Sequence, residues 1–169
     1  MPDFSHFDAA GRARMVDVTR KKKSRREATA LGAVVMSEAT LDRIERGEIE
    51  KGEVLAVARV AAIQAAKRTS DWIPMCHPLA ISGVDVVLES AREPARIEIS
   101  VTVRCTGPTG VEMEALTAAS AAALTVYDMC KAVDRGMQLG PFRLAAKSGG
   151  RSGSWKMEPA EDHRLVRRS

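Results

Sequence analysis

Residues 97–103 read IEISVTV: Ile97-Glu98-Ile99-Ser100-Val101-Thr102-Val103. Aliphatic residues fill every odd position and polar residues every even one. A period of two is the mark of a strand with one buried face and one solvated face. Upstream, Val84-Asp85-Val86-Val87-Leu88 is a second strand-like run, and Glu93-Pro94 lies between the two. Together they read as a hairpin that turns at Glu93-Pro94. A strand with one wet face belongs to an antiparallel sheet, so the rest of the chain has to cover the other face.

Downstream, a helix is expected from about Glu112 to Val133, stopping before Gly136, followed by an alternating strand over Phe142-Arg143-Leu144-Ala145-Ala146-Lys147. Upstream, a helix from about Glu53 to Lys67 carries Val54, Val57, Ala58, Ala61 and Ala65 at helical spacing. Before it, Ser37 can cap a short helix with Leu41 and Ile44 inward, and Gly47 ends it. Ala28 to Met36 reads as the first strand. The order is the βαββαβ plan: an α+β, ferredoxin-like antiparallel sheet covered on one face by two long helices, with an extra short helix. Both long helices are rich in alanine; TAASAAALT, residues 117–125, has almost no bulk. With three Phe, two Trp and one Tyr, one subunit has little aromatic core, so a homo-oligomer is expected.

The 169 residues suggest a single domain, 1–169, able to bury about two thirds of its unfolded surface. The ends, about 1–14 and 154–169, are polar and are expected to be mobile. The net charge of +4 and a pI of about 9.2 suit an anionic small-molecule substrate without demanding nucleic acid. Cys76, Cys105 and Cys130 are odd in number and widely spaced, which fits unpaired thiols in a reducing compartment. The N-terminal stretch lacks the apolar core of a signal peptide, and no apolar run approaches a membrane span of about 20 residues. A cytoplasmic protein without membrane association is expected.

Several groups could carry chemistry. Glu112-Met113-Glu114 opens the third long element, where carboxylates suit the positive end of a helix dipole; plain capping is the simplest meaning. Asp128 and Lys131 stand three apart and share a helix face. They read either as a surface ion pair of little energetic consequence or, given apolar neighbours Val126, Met129 and Cys130, as a half-buried acid–base pair. Lys51 precedes the second helix, and Lys147 precedes the Gly/Ser-rich SGGRSG, which could cradle phosphate but lacks a full phosphate-loop pattern. Arg26 belongs to a basic run, Arg20 to Arg26, that reads as a solvated loop or a polyanion contact. In Ile73-Pro74-Met75-Cys76-His77-Pro78, two prolines stiffen a thiol and an imidazole. No CxxC or HxxxH spacing accompanies them, so a substrate-contacting loop is a better reading than a metal site or a Cys–His nucleophile.

Four motifs in order then resemble one family. They are IPMCHPL (73–79), TGVEMEALT (109–117), YDMCKA (127–132) and KSGG (147–150), within a likeness running from Met15 to Gly153. The chain resembles the molybdenum cofactor biosynthesis protein C family, the cyclic pyranopterin monophosphate synthases. Met75 stands where that family usually has leucine, an apolar exchange. The resemblance implies a hexamer built as a trimer of dimers, with active sites between subunits. It implies conversion of 3′,8-cyclo-7,8-dihydro-GTP to cyclic pyranopterin monophosphate and pyrophosphate. Asp128 and Lys131 are then the catalytic pair, with Lys51 and His77 as further catalytic residues, and Met75, Cys76, His77, Met113 and Glu114 bind substrate. Glu112, Arg26 and Lys147 join that binding set as charged groups. No resident cofactor is called for; Mg2+ carried on the substrate triphosphate is the one metal left open. The competing reading is a non-catalytic nucleotide- or RNA-binding domain. Such readers display paired aromatics on a sheet, whereas these strands offer Phe142 alone.

Overall fold

The structure, a computed structural model, describes residues 12, 15–151 and 153–158. Its elements run β1 (Ser24–Val35), α1 (Glu38–Glu45), α2 (Val54–Lys67), α3 (Thr69–Trp72), β2 (Ile81–Arg92), β3 (Ala95–Gly107), α4 (Glu112–Cys130), β4 (Gln138–Leu139), β5 (Arg143–Ser148) and β6 (Trp155–Lys156). All pairings are antiparallel, in the order β2-β3-β1-β5-β6, with β4 joined to the end of β1. The four principal strands β2-β3-β1-β5 therefore have the ferredoxin-like arrangement, in which the two crossover helices fall on one face.

The alternation of β3 decides which face. Ile97, Ile99, Val101, Val103 and Cys105 are all essentially inaccessible and share one core with Ala28, Ala30 and Val34 of β1 and the alanines of α2 and α4. Arg96, Glu98, Ser100, Thr102 and Arg104 face the other way, where Thr102 and Thr29 meet hydroxyl to hydroxyl at 2.8 Å. Arg104 bridges Glu27 at 2.7 Å and Asp85 at 2.6 Å on the same open face. Helix and sheet approach closely because the contact is made of alanine: Ala115, Ala118, Ala119, Ala122 and Ala123 of α4 have no exposed surface.

Three sequence expectations change. The buried strip of α2 is Val54, Ala58, Ala62, Ala65 and Ala66, while Val57 is 44 % exposed. In so alanine-rich a helix the apolar periodicity has little contrast, and the true face lies about one position from the expected one. Helix α4 ends at Cys130 rather than Val133; beyond it the Val133 N–H closes a tight i→i−3 turn on the Cys130 carbonyl, which the Asp134 N–H shares. Lys131 is therefore the cap of the helix and not part of its body. β1 begins at Ser24, so Arg25 and Arg26 lie in a strand rather than in a solvated loop. The termini expected to be mobile, about 1–14 and 154–169, lie outside the described residues except for residue 12 and residues 154–158, where Trp155–Lys156 forms β6 against β5.

Candidate active site

Helix α4 carries chemistry at both ends. At its C-terminal end, one Asp128 carboxylate oxygen accepts from the Lys131 ammonium at 2.6 Å, and the other accepts from Lys51 at 2.9 Å. Lys51 also donates to the Asp128 main-chain carbonyl at 2.8 Å. The Asp128, Lys131 and Lys51 side chains are 57 %, 51 % and 47 % exposed, so about half of each is covered and the charged ends remain open to solvent in the single chain. The apolar neighbours Val126, Met129 and Cys130 point into the core, leaving the next face of the helix to solvent. Hydrogen bonds from Lys131 and then Lys51 hold the Asp128 carboxyl down at about 2, and Asp128 in turn raises Lys131. At neutral pH this end is a carboxylate held between two ammonium groups. The Cys130 thiol beneath it is pushed up to about 11, chiefly by burial, so it is not a nucleophile.

At the N-terminal end lies a cleft of about 280 Å³. Its walls are Met75-Cys76-His77, Thr109-Gly110 and Glu112-Met113-Glu114, with Val16, Val18 and Lys21 closing one side. Met75-Cys76-His77, with Pro74 and Pro78 on either side, forms the wall of the cleft between α3 and β2. Gly110 has no side chain because the Glu112 carboxylate folds over the position a Cβ would take. Glu112 accepts from Lys147 at 3.0 Å, which ties β5 to the first turn of α4. Arg26 does not open into the cleft. It reaches under it, donating to the carbonyls of Gly107 at 3.4 Å and Pro108 at 3.2 Å. Gly149 and Gly150, both at positive φ, pack against Arg25 and Arg26, where any Cβ would collide. The glycine-rich segment thus serves to seat Arg26 rather than standing open as a phosphate loop.

Glu114 is the one buried carboxyl in the cleft, 4 % exposed. Burial, then the neighbouring Glu112, raises its pKa. Burial and Glu114 likewise raise the Cys76 thiol, which stays protonated. Two carboxyls on one helix thus have environments that move them in opposite directions, Glu114 up and Asp128 down, the pattern that separates acid and base roles. A folded-state pKa above the unfolded one means that the buried group opposes folding once pH exceeds its unfolded value. Glu114→Gln is therefore expected to raise Tm at neutral pH by about 2–4 °C, the scale of about 1 kcal/mol in a chain this size, while impairing substrate binding. The Tm gain should vanish at acid pH, where Glu114 is neutral; calorimetry at pH 4 and pH 8 checks it.

The sequence-derived site residues therefore fall into two groups. Met75, Cys76, His77, Glu112, Met113 and Glu114 line the cleft, with Lys147 and Arg26 bracing it. Asp128, Lys131 and Lys51 form the charged cluster. Sixteen positions of α4 separate Glu112 from Asp128, about 24 Å at the helical rise. Val16, Val18 and Lys21 are cleft residues outside the four motifs, Lys21 being visible in the sequence only as one charge in the basic run, while Leu79, Thr109 and Gly110 lie within the motifs but not among the expected site residues. A larger hollow of about 460 Å³ lies on the open sheet face beside Leu31, Val35, Val87 and Arg143, away from every one of these groups. Among the described residues no three His, Cys, Asp or Glu side chains gather in a metal-holding cluster, and the three cysteines are free thiols. No helix among them is long and apolar enough to cross a membrane.

The comparisons with known proteins agree with one another. A cyclic pyranopterin monophosphate synthase from Chloroflexus aggregans (strain MD-66 / DSM 9485) is 61 % identical over 154 residues, 91 % of this chain and 93 % of the relative. The model of the MoaC family matches residues 15–150, which include both ends of α4, the Met75-Cys76-His77 wall, β5 and the Lys51 turn. This chain belongs to the MoaC family.

Proposed function

We propose that the chain is a cyclic pyranopterin monophosphate synthase of molybdenum cofactor biosynthesis, a lyase that converts 3′,8-cyclo-7,8-dihydro-GTP to cyclic pyranopterin monophosphate and pyrophosphate. The observation that carries the mechanistic part of this reading is the split of the family motifs along α4. A cleft sits at one end and a Lys–Asp–Lys cluster at the other, about 24 Å away by helical rise. The cleft alone, at about 280 Å³, is below the roughly 300–1,000 Å³ of ordinary ligand pockets and leaves most of a nucleotide triphosphate uncovered. The complete site is then formed between subunits, with the cleft of one facing the charged cluster of another, in a hexamer built as a trimer of dimers. Closure between subunits would also remove water from Asp128, Lys131 and Lys51, which stand exposed in the single chain.

In that site each group has a task. Met75, Cys76, His77, Met113 and Glu114 form the wall that orients the fused ring, and Glu112, Lys147 and Arg26 keep that wall in place. Rearranging a purine into a pterin needs several proton transfers. In the resting state Lys131 carries a proton and Asp128 does not, so a lysine is the donor that is ready at neutral pH, and Asp128 sets its position and affinity. His77 supplies a second exchangeable proton from the cleft side. Formation of the cyclic phosphate requires a sugar hydroxyl to attack the α-phosphorus in line; charge grows on the departing pyrophosphate, where ammonium groups stabilise it. A Mg2+ on the triphosphate would arrive with the substrate. The setting is cytoplasmic.

The test is a pyrophosphate-release assay on 3′,8-cyclo-7,8-dihydro-GTP, with the pterin product followed by fluorescence after oxidation. Equimolar pyrophosphate and pterin are expected. Tight binding of the nucleotide without turnover would favour the non-catalytic binding module instead. Phe142, the aromatic that alternative drew on, lies outside the strands and packs on Gly32, where an added Cβ would come within 2.5 Å of its ring; Trp155 of β6 is the one aromatic on a strand among the described residues, and it has no aromatic pair on the sheet.

A further inference from the structure

Asp134 lies three residues beyond Lys131 in the turn that leaves α4, outside both the cleft and the charged cluster. Its carboxylate is fully engaged with a different part of the chain. One oxygen accepts from the Ser37 backbone N–H at 2.9 Å and from the Thr40 hydroxyl at 3.1 Å; the other accepts from the Gly136 N–H at 3.0 Å. Ser37 is the N-cap of α1; its hydroxyl accepts from the Thr40 N–H at 3.3 Å and donates to the Thr40 hydroxyl at 2.9 Å, so Ser37, Thr40 and Asp134 form one network. Asp134 therefore adds an anion at the positive end of α1, supplied from 97 residues away. The Ser37 backbone bond is the largest cause holding the Asp134 carboxyl below its ordinary range, so it is charged at working pH.

The path of the chain gives this contact its consequence. From Ser37 the chain runs through α1, whose Leu41 and Ile44 are buried, turns at Gly47 with φ +68°, buries Ile49, and reaches Lys51 before a second turn at Gly52 with φ +100°. Lys51 then returns to the end of α4, to the Asp128 carbonyl and carboxylate. The segment 37–51 is thus fastened twice to the same helix end, first by Asp134 and last by Asp128.

We propose that Asp134 is a positioning residue of the active site, docking the start of α1 on the end of α4 so that Lys51 is delivered to Asp128 beside Lys131. It touches neither substrate nor Lys51; it acts through α1 and the turn that follows. The effect on turnover rests on the synthase reading, whereas the effect on the geometry of the Lys51 turn does not.

The experiment compares Asp134→Ala and Asp134→Asn with the wild type, as full chains. Displacing a reacting group by about 1 Å can cost about a hundredfold, so Asp134→Ala is expected to lower kcat by at least about tenfold. KM should hold, because the ring-binding cleft lies at the far end of α4. Asp134→Asn keeps an acceptor for Ser37 and Thr40 but loses the charge and the bond to Gly136, so its kcat should fall between the two. Amide hydrogen exchange over residues 46–52 should speed up in Asp134→Ala and less so in Asp134→Asn. An unchanged kcat, a raised KM with kcat intact, or unchanged exchange over 46–52 would each overturn the proposal. If the wild type itself does not turn over the cyclised nucleotide, the synthase reading fails while the exchange measurement still decides the role of Asp134. Should Asp134→Ala fail to fold, Asp134→Asn alone decides the matter by the same three readouts.

Discussion

Asp128→Asn is expected to abolish turnover while leaving fold and assembly unchanged. Asparagine fits the same space but cannot hold two ammonium groups by charge, and it cannot exchange a proton. Lys51 and Lys131 would face each other without the anion between them, and Lys131 would lose the raised proton affinity that Asp128 gives it. A well-placed acid or base contributes about a hundred- to ten-thousand-fold, and the loss should fall in that range. Stability should hardly move, since the ion pairs concerned are solvent-exposed and such pairs contribute little. The alkaline limb of the residual pH–rate profile should shift to lower pH, because Lys131 now loses its proton more easily. Lys131→Ala should lose a similar factor, and the double variant little more than either alone, as for groups working as a unit. Single-turnover kinetics following pterin and pyrophosphate separately are the check; retention of more than about a tenth of the wild-type rate would remove Asp128 from the chemistry.

How much of the molecule is legible before its fold is known depends on contrast in the sequence. IEISVTV alternates without a fault, and β3 lies where that alternation puts it, with its odd residues in the core. The hairpin turn at Glu93-Pro94 and the Ser37 cap are equally local signals, and both are present. Helix α2 is legible but its face is not, since Ala56, Ala58, Ala61, Ala62, Ala65 and Ala66 look alike to any periodicity. The two-residue strands β4 and β6 are held by pairing with distant chain and leave no pattern of their own. Arg26 is legible in principle. Counting back by two from the buried Ala30 and Ala28 puts it on the helix-facing side of β1, which a basic run disguises. The split between the two ends of α4 is within reach of the sequence, since the helix expected from about Glu112 to Val133 already puts sixteen positions between Glu112 and Asp128; what the sequence does not show is that the cleft closes around one end and Lys51 returns to the other. That the charged ends of Asp128 and Lys131 stay open to solvent in the single chain is harder to read: apolar neighbours on a helix bury their own faces, and residues one or two positions away look elsewhere.

The division of labour along α4 makes a second large effect available. If each site takes its cleft from one subunit and its Lys–Asp–Lys cluster from another, two inactive variants with damage at opposite ends should restore each other. His77→Ala removes a cleft residue, and Asp128→Asn disables the cluster; neither lies in the alanine-rich helix–sheet contact that holds the subunit together. Co-expressed at equal levels with different tags and purified through both, they would form mixed assemblies. Random association in a closed symmetric oligomer leaves about a quarter of the sites with both halves intact. The direct test of the account is the pyrophosphate-release rate of these doubly purified assemblies. Recovery toward about a quarter of the wild-type rate, from parents that each show nearly none, is the predicted result for a site shared between subunits. Mixed assemblies as inactive as their parents would contradict it, since both halves of the site would then have to come from one chain.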